Sequence, residues 1–67
     1  MHVIEKIGET AGRIWRTLYE EGQLRVSTLK KQLDAPEPII YMALGWLARE
    51  EKLDMEAEGR TYRVRLR

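Results

Sequence analysis

Apolar residues recur at helical spacing through Ile7, Ala11, Ile14 and Leu18, which predicts a first amphipathic helix over residues 5–21. Gly22 follows as a C-terminal stop. The stretch Gln23–Val26 alternates weakly and reads as a small strand. Ser27 then stands at the N-cap position of a second helix over 27–34, with Leu29 and Leu33 facing inward. Asp34 and Ala35 turn the chain. Pro36 and Pro38 fix the start of a third helix over 37–51, because proline is tolerated in the first turn, where its missing N–H is not needed. From Lys52 the period changes to two. Leu53, Met55 and Ala57 alternate with Asp54, Glu56 and Glu58, and Tyr62, Val64 and Leu66 alternate with Arg63, Arg65 and Arg67. This predicts a hairpin over 52–66, turning at Glu58 and Gly59. It would pair Met55 with Tyr62 and Leu53 with Val64 on an inner face laid over the helices, and set Asp54 beside Arg63 outside. The order of helix, short strand, two helices and hairpin is that of a winged helix-turn-helix, mostly α with a C-terminal β-hairpin, in one domain spanning residues 1–67.

The third helix is unusual because apolar residues surround it. Ile40, Ala43, Leu44 and Leu47 form one face, while Tyr41, Met42, Gly45 and Trp46 continue around the other. A helix that reads DNA bases needs Arg, Lys, Asn or Gln on its outward side. Here Arg49 is the one long basic residue, and Glu37 stands at the N-terminus, where phosphates would approach.

At 67 residues the chain has a small core, and without cysteine it has neither disulfides nor thiolate zinc sites to reinforce it, so self-association is the remaining source of extra burial. The longest apolar run, Ile39–Leu44, is far too short to cross a bilayer, and the N-terminus lacks a signal-peptide pattern, which makes the cytoplasm the expected location. Twelve basic and eleven acidic residues leave a net charge of +1, with no global attraction for nucleic acid. Charge is uneven along the chain. Residues 37–51 carry one basic and three acidic groups, whereas residues 52–67 carry five basic and three acidic.

The strings Gly8-Glu9-Thr10-Ala11-Gly12-Arg13-Ile14-Trp15 and Ala43-Leu44-Gly45-Trp46-Leu47-Ala48-Arg49-Glu50-Glu51-Lys52-Leu53 resemble a family of small stand-alone winged helix-turn-helix proteins of bacteria and archaea whose function is not characterised. The resemblance covers nearly the whole chain. It implies the winged-helix fold, a bacterial or archaeal source, no known catalytic residues, and homodimers. It assigns no DNA-reading residue to any position.

Two sets of residues are therefore candidates for function. Gly8, Gly12, Trp15 and Tyr19 form a strip beside the core face of the first helix. Its glycines mark either a frayed start and a close approach within the chain, or a seat for a second copy. Tyr41, Met42, Gly45 and Trp46 form a comparable patch on the third helix, either completing the core or meeting a partner protein. The second set is basic: Arg25, Lys30 and Lys31 border the second helix, Arg49 lies on the third, and Arg60, Arg63, Arg65 and Arg67 decorate the wing. These are solvated surface or, in a DNA-binding regulator, phosphate contacts. Chemistry favours a non-enzymatic module acting through protein contacts and self-association, and the alternative is a DNA-binding transcriptional regulator using helix 37–51 and the wing arginines. Catalytic, metal and cofactor sites are not expected. His2 is the sole imidazole, Ser27 has no general base placed beside it, and the glycines match no nucleotide-binding pattern.

Overall fold

The computed structural model describes residues 3–67, so His2 lies outside the described residues. Helix α1, Val3–Glu21, buries Thr10, Ala11, Ile14 and Leu18 along the predicted stripe. It begins two residues earlier than expected, with Glu5 in the first turn, where a carboxylate complements the helix dipole. Gly22 ends it as anticipated, at φ 81°, donating its N–H to the Leu18 carbonyl at 2.8 Å.

Strand β1 is Leu24–Arg25, and helix α2 is Val26–Gln32. The expected Ser27 cap is not made. Arg25 is the N-cap residue, in extended conformation, and no side chain caps the helix. The chain passes directly from strand into helix so that Val26 is fully buried, which moves Ser27 inside the first turn. The helix also stops short of residue 34, because Leu33 turns to an extended conformation while remaining buried.

Helix α3, Glu37–Arg49, starts as the prolines require, with the N–H groups of Ile39 and Ile40 bonded to the Pro36 carbonyl. It ends two residues before the expected boundary. Glu51 takes a left-handed φ of 58°, with Glu51 N–H donating to the Ala48 carbonyl at 3.0 Å and Lys52 N–H to that of Leu47 at 2.9 Å. This Schellman-type closure normally uses glycine; here a glutamate adopts it and drops Leu53 into the core.

Strands β2, Leu53–Glu58, and β3, Thr61–Leu66, form the wing, and the sheet order is β1-β3-β2. The expected register is wrong by two residues. Met55 pairs with Val64, Leu53 with Leu66 and Asp54 with Arg65, because the turn consists of Gly59 and Arg60 and not Glu58 and Gly59. Gly59 supplies the positive φ, 62°, at the first turn position. A two-residue shift preserves which side chains share a face. The inner face therefore remains as read, but only Leu53 and Val64 are buried there, while Met55 and Tyr62 extend past the helices and are exposed. Leu53, Val64 and the buried residues of the three helices make one core. Five of its members, Ile14, Val26, Leu29, Ala43 and Val64, have no exposed surface, and burying each of the larger four contributes about 1.5–3 kcal/mol.

Candidate functional site

On the outer face of the sheet, the alternation of β2 and β3 brings acidic and basic side chains into register. Glu58, the last residue of β2, ties the three strands together. Arg25 from β1 donates Nε to Glu58 Oε1 at 2.8 Å, and Arg63 from β3 donates Nε to Oε2 at 2.6 Å and Nη2 to Oε1 at 3.0 Å. Arg65 reaches Glu56 at 3.3 Å and Asp54 at 3.8 Å, and Arg67 reaches Glu51 at 3.2 Å and Asp54 at 3.5 Å. Four arginines are thus matched by four carboxylates. The Arg63 bonds, then those of Arg25, hold the Glu58 carboxyl below its ordinary pKa, and Glu58 in turn raises the Arg63 guanidinium. Exposed pairs of this kind add little stability. Their main consequence is electrostatic, because a face expected to be basic carries no net charge.

Of the candidate phosphate contacts, Arg25, Arg63 and Arg65 belong to this lattice. Lys30 is engaged elsewhere, 3.3 Å from Glu37 and 5.8 Å from the centroid of the Tyr41 ring. Lys31, Arg49 and Arg60 make no ion pair among the described residues, and they lie on different elements: α2, α3 and the wing turn. The sequence reading put Glu58 at the turn and Arg67 among the wing cations, and missed that both are ion-paired in this lattice. The signal for both was present in the strict acid–base alternation on the outer face of the two strands.

The two apolar candidate strips meet. Trp46 of α3 lines a groove of about 630 Å³ with Ile7, Met42, Arg49 and Glu50, and also a second of about 310 Å³ with Gly8, Gly12, Trp15 and Lys52. A single surface therefore runs from the side of α1 onto α3. Trp15 and Tyr19, one turn apart, stack with ring centroids 5.2 Å apart and planes 11° from parallel. Both are exposed, as are Tyr41, Met42 and Trp46, so none of these five completes the core. Tyr41 stands apart from the grooves, on the α2 side of α3 beneath Lys30.

The readings of Gly8 as a frayed start and of Gly12 as a close approach within the chain do not hold. Gly8 lies well inside α1, and a Cβ on Gly8, Gly12 or Gly45 would meet nothing within 4 Å. No neighbouring element of the chain needs the space these residues leave. Among the described residues, no group of three or more His, Cys, Asp or Glu side chains stands together in a way that could hold a metal ion, and no helix is long and apolar enough to cross a membrane.

Comparison with known proteins agrees with this architecture. The chain is 38% identical over 65 residues to the uncharacterized protein MJ1608 of Methanocaldococcus jannaschii, a match covering 92% of this chain and 91% of that relative. No solved structure matches. Residues 1–66 match the family model described as a winged helix-turn-helix domain (DUF2582), and the chain belongs to that family.

Proposed function

We propose that this domain is a non-enzymatic, cytoplasmic binding module that works through protein–protein contacts, self-association included, and does not work by reading DNA. The observation that carries this reading is the pairing of every arginine on the outer sheet face with a carboxylate. A winged helix on DNA needs uncompensated cations on its wing and polar readers on its third helix. This one has a neutral wing face, and α3 presents Tyr41, Met42 and Trp46 outward. Aromatic residues and methionine with few charges are the composition of a protein interface centre. Of the candidate phosphate contacts, Lys31, Arg49 and Arg60 are left for the alternative, a DNA-binding regulator.

The test is a titration with mixed-sequence duplex DNA at ~50 mM and ~200 mM salt, where phosphate-driven binding is strongest at the lower salt. The expected result is no binding tighter than ~10⁻⁴ M at either salt. Tight, salt-sensitive binding that is lost on charge reversal at Arg63 and Arg65 would establish the regulator reading instead.

A further inference from the structure

We infer that the partner seated on the α1–α3 surface is a second copy of this chain, held by antiparallel pairing of the two α1 helices about a twofold axis near Gly12. The inference rests on the protein-contact reading above and specifies its partner and geometry. Area is the first argument. Ile4 is 71% exposed, Trp15 40%, Tyr19 71%, Met42 48% and Trp46 43%. At ~200 Å² for a large side chain, the group presents roughly 550 Å² of apolar surface per copy and about 1,100 Å² for a pair, above the ~1,000 Å² expected of a specific interface.

Shape is the second argument. At 100° and 1.5 Å per residue, Ile4, Gly8, Gly12, Trp15 and Tyr19 share one strip of α1, roughly a right angle around the helix from the core stripe. When this strip is paired antiparallel with itself about a point just before Gly12, Trp15 falls opposite the partner's Gly8 and Tyr19 opposite the partner's Ile4. Each large ring then meets a smaller residue. The space over Gly8, where a Cβ would touch nothing, receives the partner's indole, and Gly12 lets the helix axes approach near the twofold. Trp46, which lines both grooves beside the middle of the strip, is brought close to the same axis.

Charge is the third argument, and it selects the antiparallel direction. A twofold axis of this kind places the same flank of each helix side by side. On the flank away from α3, the N-terminal half of α1 carries Glu5 and Glu9, and the C-terminal half carries Arg13 and Arg16. None of these four makes an ion pair within the chain among the described residues. Antiparallel pairing sets Glu5 against the partner's Arg16 and Glu9 against the partner's Arg13. A parallel arrangement would put the two charged flanks on opposite sides of the contact and leave these four groups without partners across it.

Sedimentation and light scattering on the full chain test this. At high micromolar concentration the mass is expected to be twice the 7.9 kDa of one chain. Two charge variants, Glu5→Arg with Glu9→Arg and Arg13→Glu with Arg16→Glu, alter only solvent-facing positions. Each is expected to weaken its own dimer by at least ~10-fold through like-charge opposition. Mixing the two is expected to restore a dimer, now heterodimeric, which a merely damaged fold would not do. Trp15→Glu is expected to give a folded monomer by circular dichroism. A monomeric wild type, or charge variants that dimerise normally and show no preference for each other, would overturn the inference. The DNA titration is separate: DNA binding by an intact dimer would overturn the functional reading alone, and a monomer that ignores DNA would overturn this inference alone.

Discussion

Replacing the three wing carboxylates, Asp54→Asn with Glu56→Gln and Glu58→Gln, tests the proposal that ion pairing on the wing disfavours DNA binding. In the native lattice Arg25, Arg63, Arg65 and Arg67 are cancelled by Glu51, Asp54, Glu56 and Glu58. The triple variant retains Glu51 and leaves three arginines uncompensated on one exposed face. If each then meets one phosphate, counterion release gives a slope of about −2.7 in log K against log salt, or roughly a 40-fold loss of affinity between ~50 mM and ~200 mM. Fluorescence anisotropy on a labelled mixed-sequence duplex reads this slope, and circular dichroism checks that the fold is retained. The expectation is no measurable binding by the wild type and weak binding with this salt dependence by the variant. Two results would refute the reasoning. Wild-type binding with a slope already near that of the variant would mean that the pairs open freely before phosphates. A variant that ignores DNA would mean that geometry, and not neutralisation, silences the wing.

Gly45→Ala places a Cβ in open space on α3 and removes the helix penalty of glycine, about 1 kcal/mol, so a thermal melt is expected to rise by about 4–8 °C with the mass unchanged. Gly12→Leu gains a similar amount of helix stability yet puts bulk on the inferred dyad, so the melt of the monomer should rise while sedimentation shows a weaker dimer. Acidification should destabilise the fold in part through Glu58. Its folded carboxyl lies below the unfolded value, so the unfolded chain takes up that proton more readily. The stability it contributes is therefore complete above the ordinary carboxylate range and is lost as pH falls through the lowered folded value. Melts from neutral pH to about pH 2–3 should accordingly drop less steeply for Glu58→Gln than for the wild type. Leu44→Ala, in the centre of the core, is expected to cost about 2–5 kcal/mol against a total of ~3–10 kcal/mol for a chain of this length, so the thermal midpoint read by circular dichroism should fall by at least ~8 °C.

The elements were legible because each is specified by local information: a 3.6-residue stripe for α1, prolines for the start of α3, a period of two for the wing. The errors occur where a distant residue decides. Ser27 is a good cap by chemistry, but burying Val26 between strand and helix matters more than one capping bond. The wing turn slid by one residue, and the register by two, because Glu58 is held in β2 by an arginine on each of two other strands, one of them 33 positions away in sequence. Segment charge counts misled for the same reason. The surplus of two positive charges in residues 52–67 resides on Lys52 and Arg60, outside the lattice, while Arg25 and Glu51 enter it from other segments and cancel.

The candidate interface shows the same division between local and tertiary information. Sequence alone identified both apolar strips, because each is a run of aromatic and small residues at helical spacing. It treated them as competing surfaces, since nothing local relates a tryptophan on α3 to a pair of glycines on α1. Packing of α3 against α1 places Trp46 between them, and the choice disappears: Met42 and Trp46 extend the α1 strip, while Tyr41, on the far side of α3, is drawn toward α2 by Lys30. Trp46 is therefore the discriminating position. Trp46→Ala removes an exposed side chain from the junction of both grooves and should weaken a dimer built on either strip. Tyr41→Ala should leave that dimer intact, and a dimer lost with Tyr41 and kept without Trp46 would place the contact on the other side of the third helix.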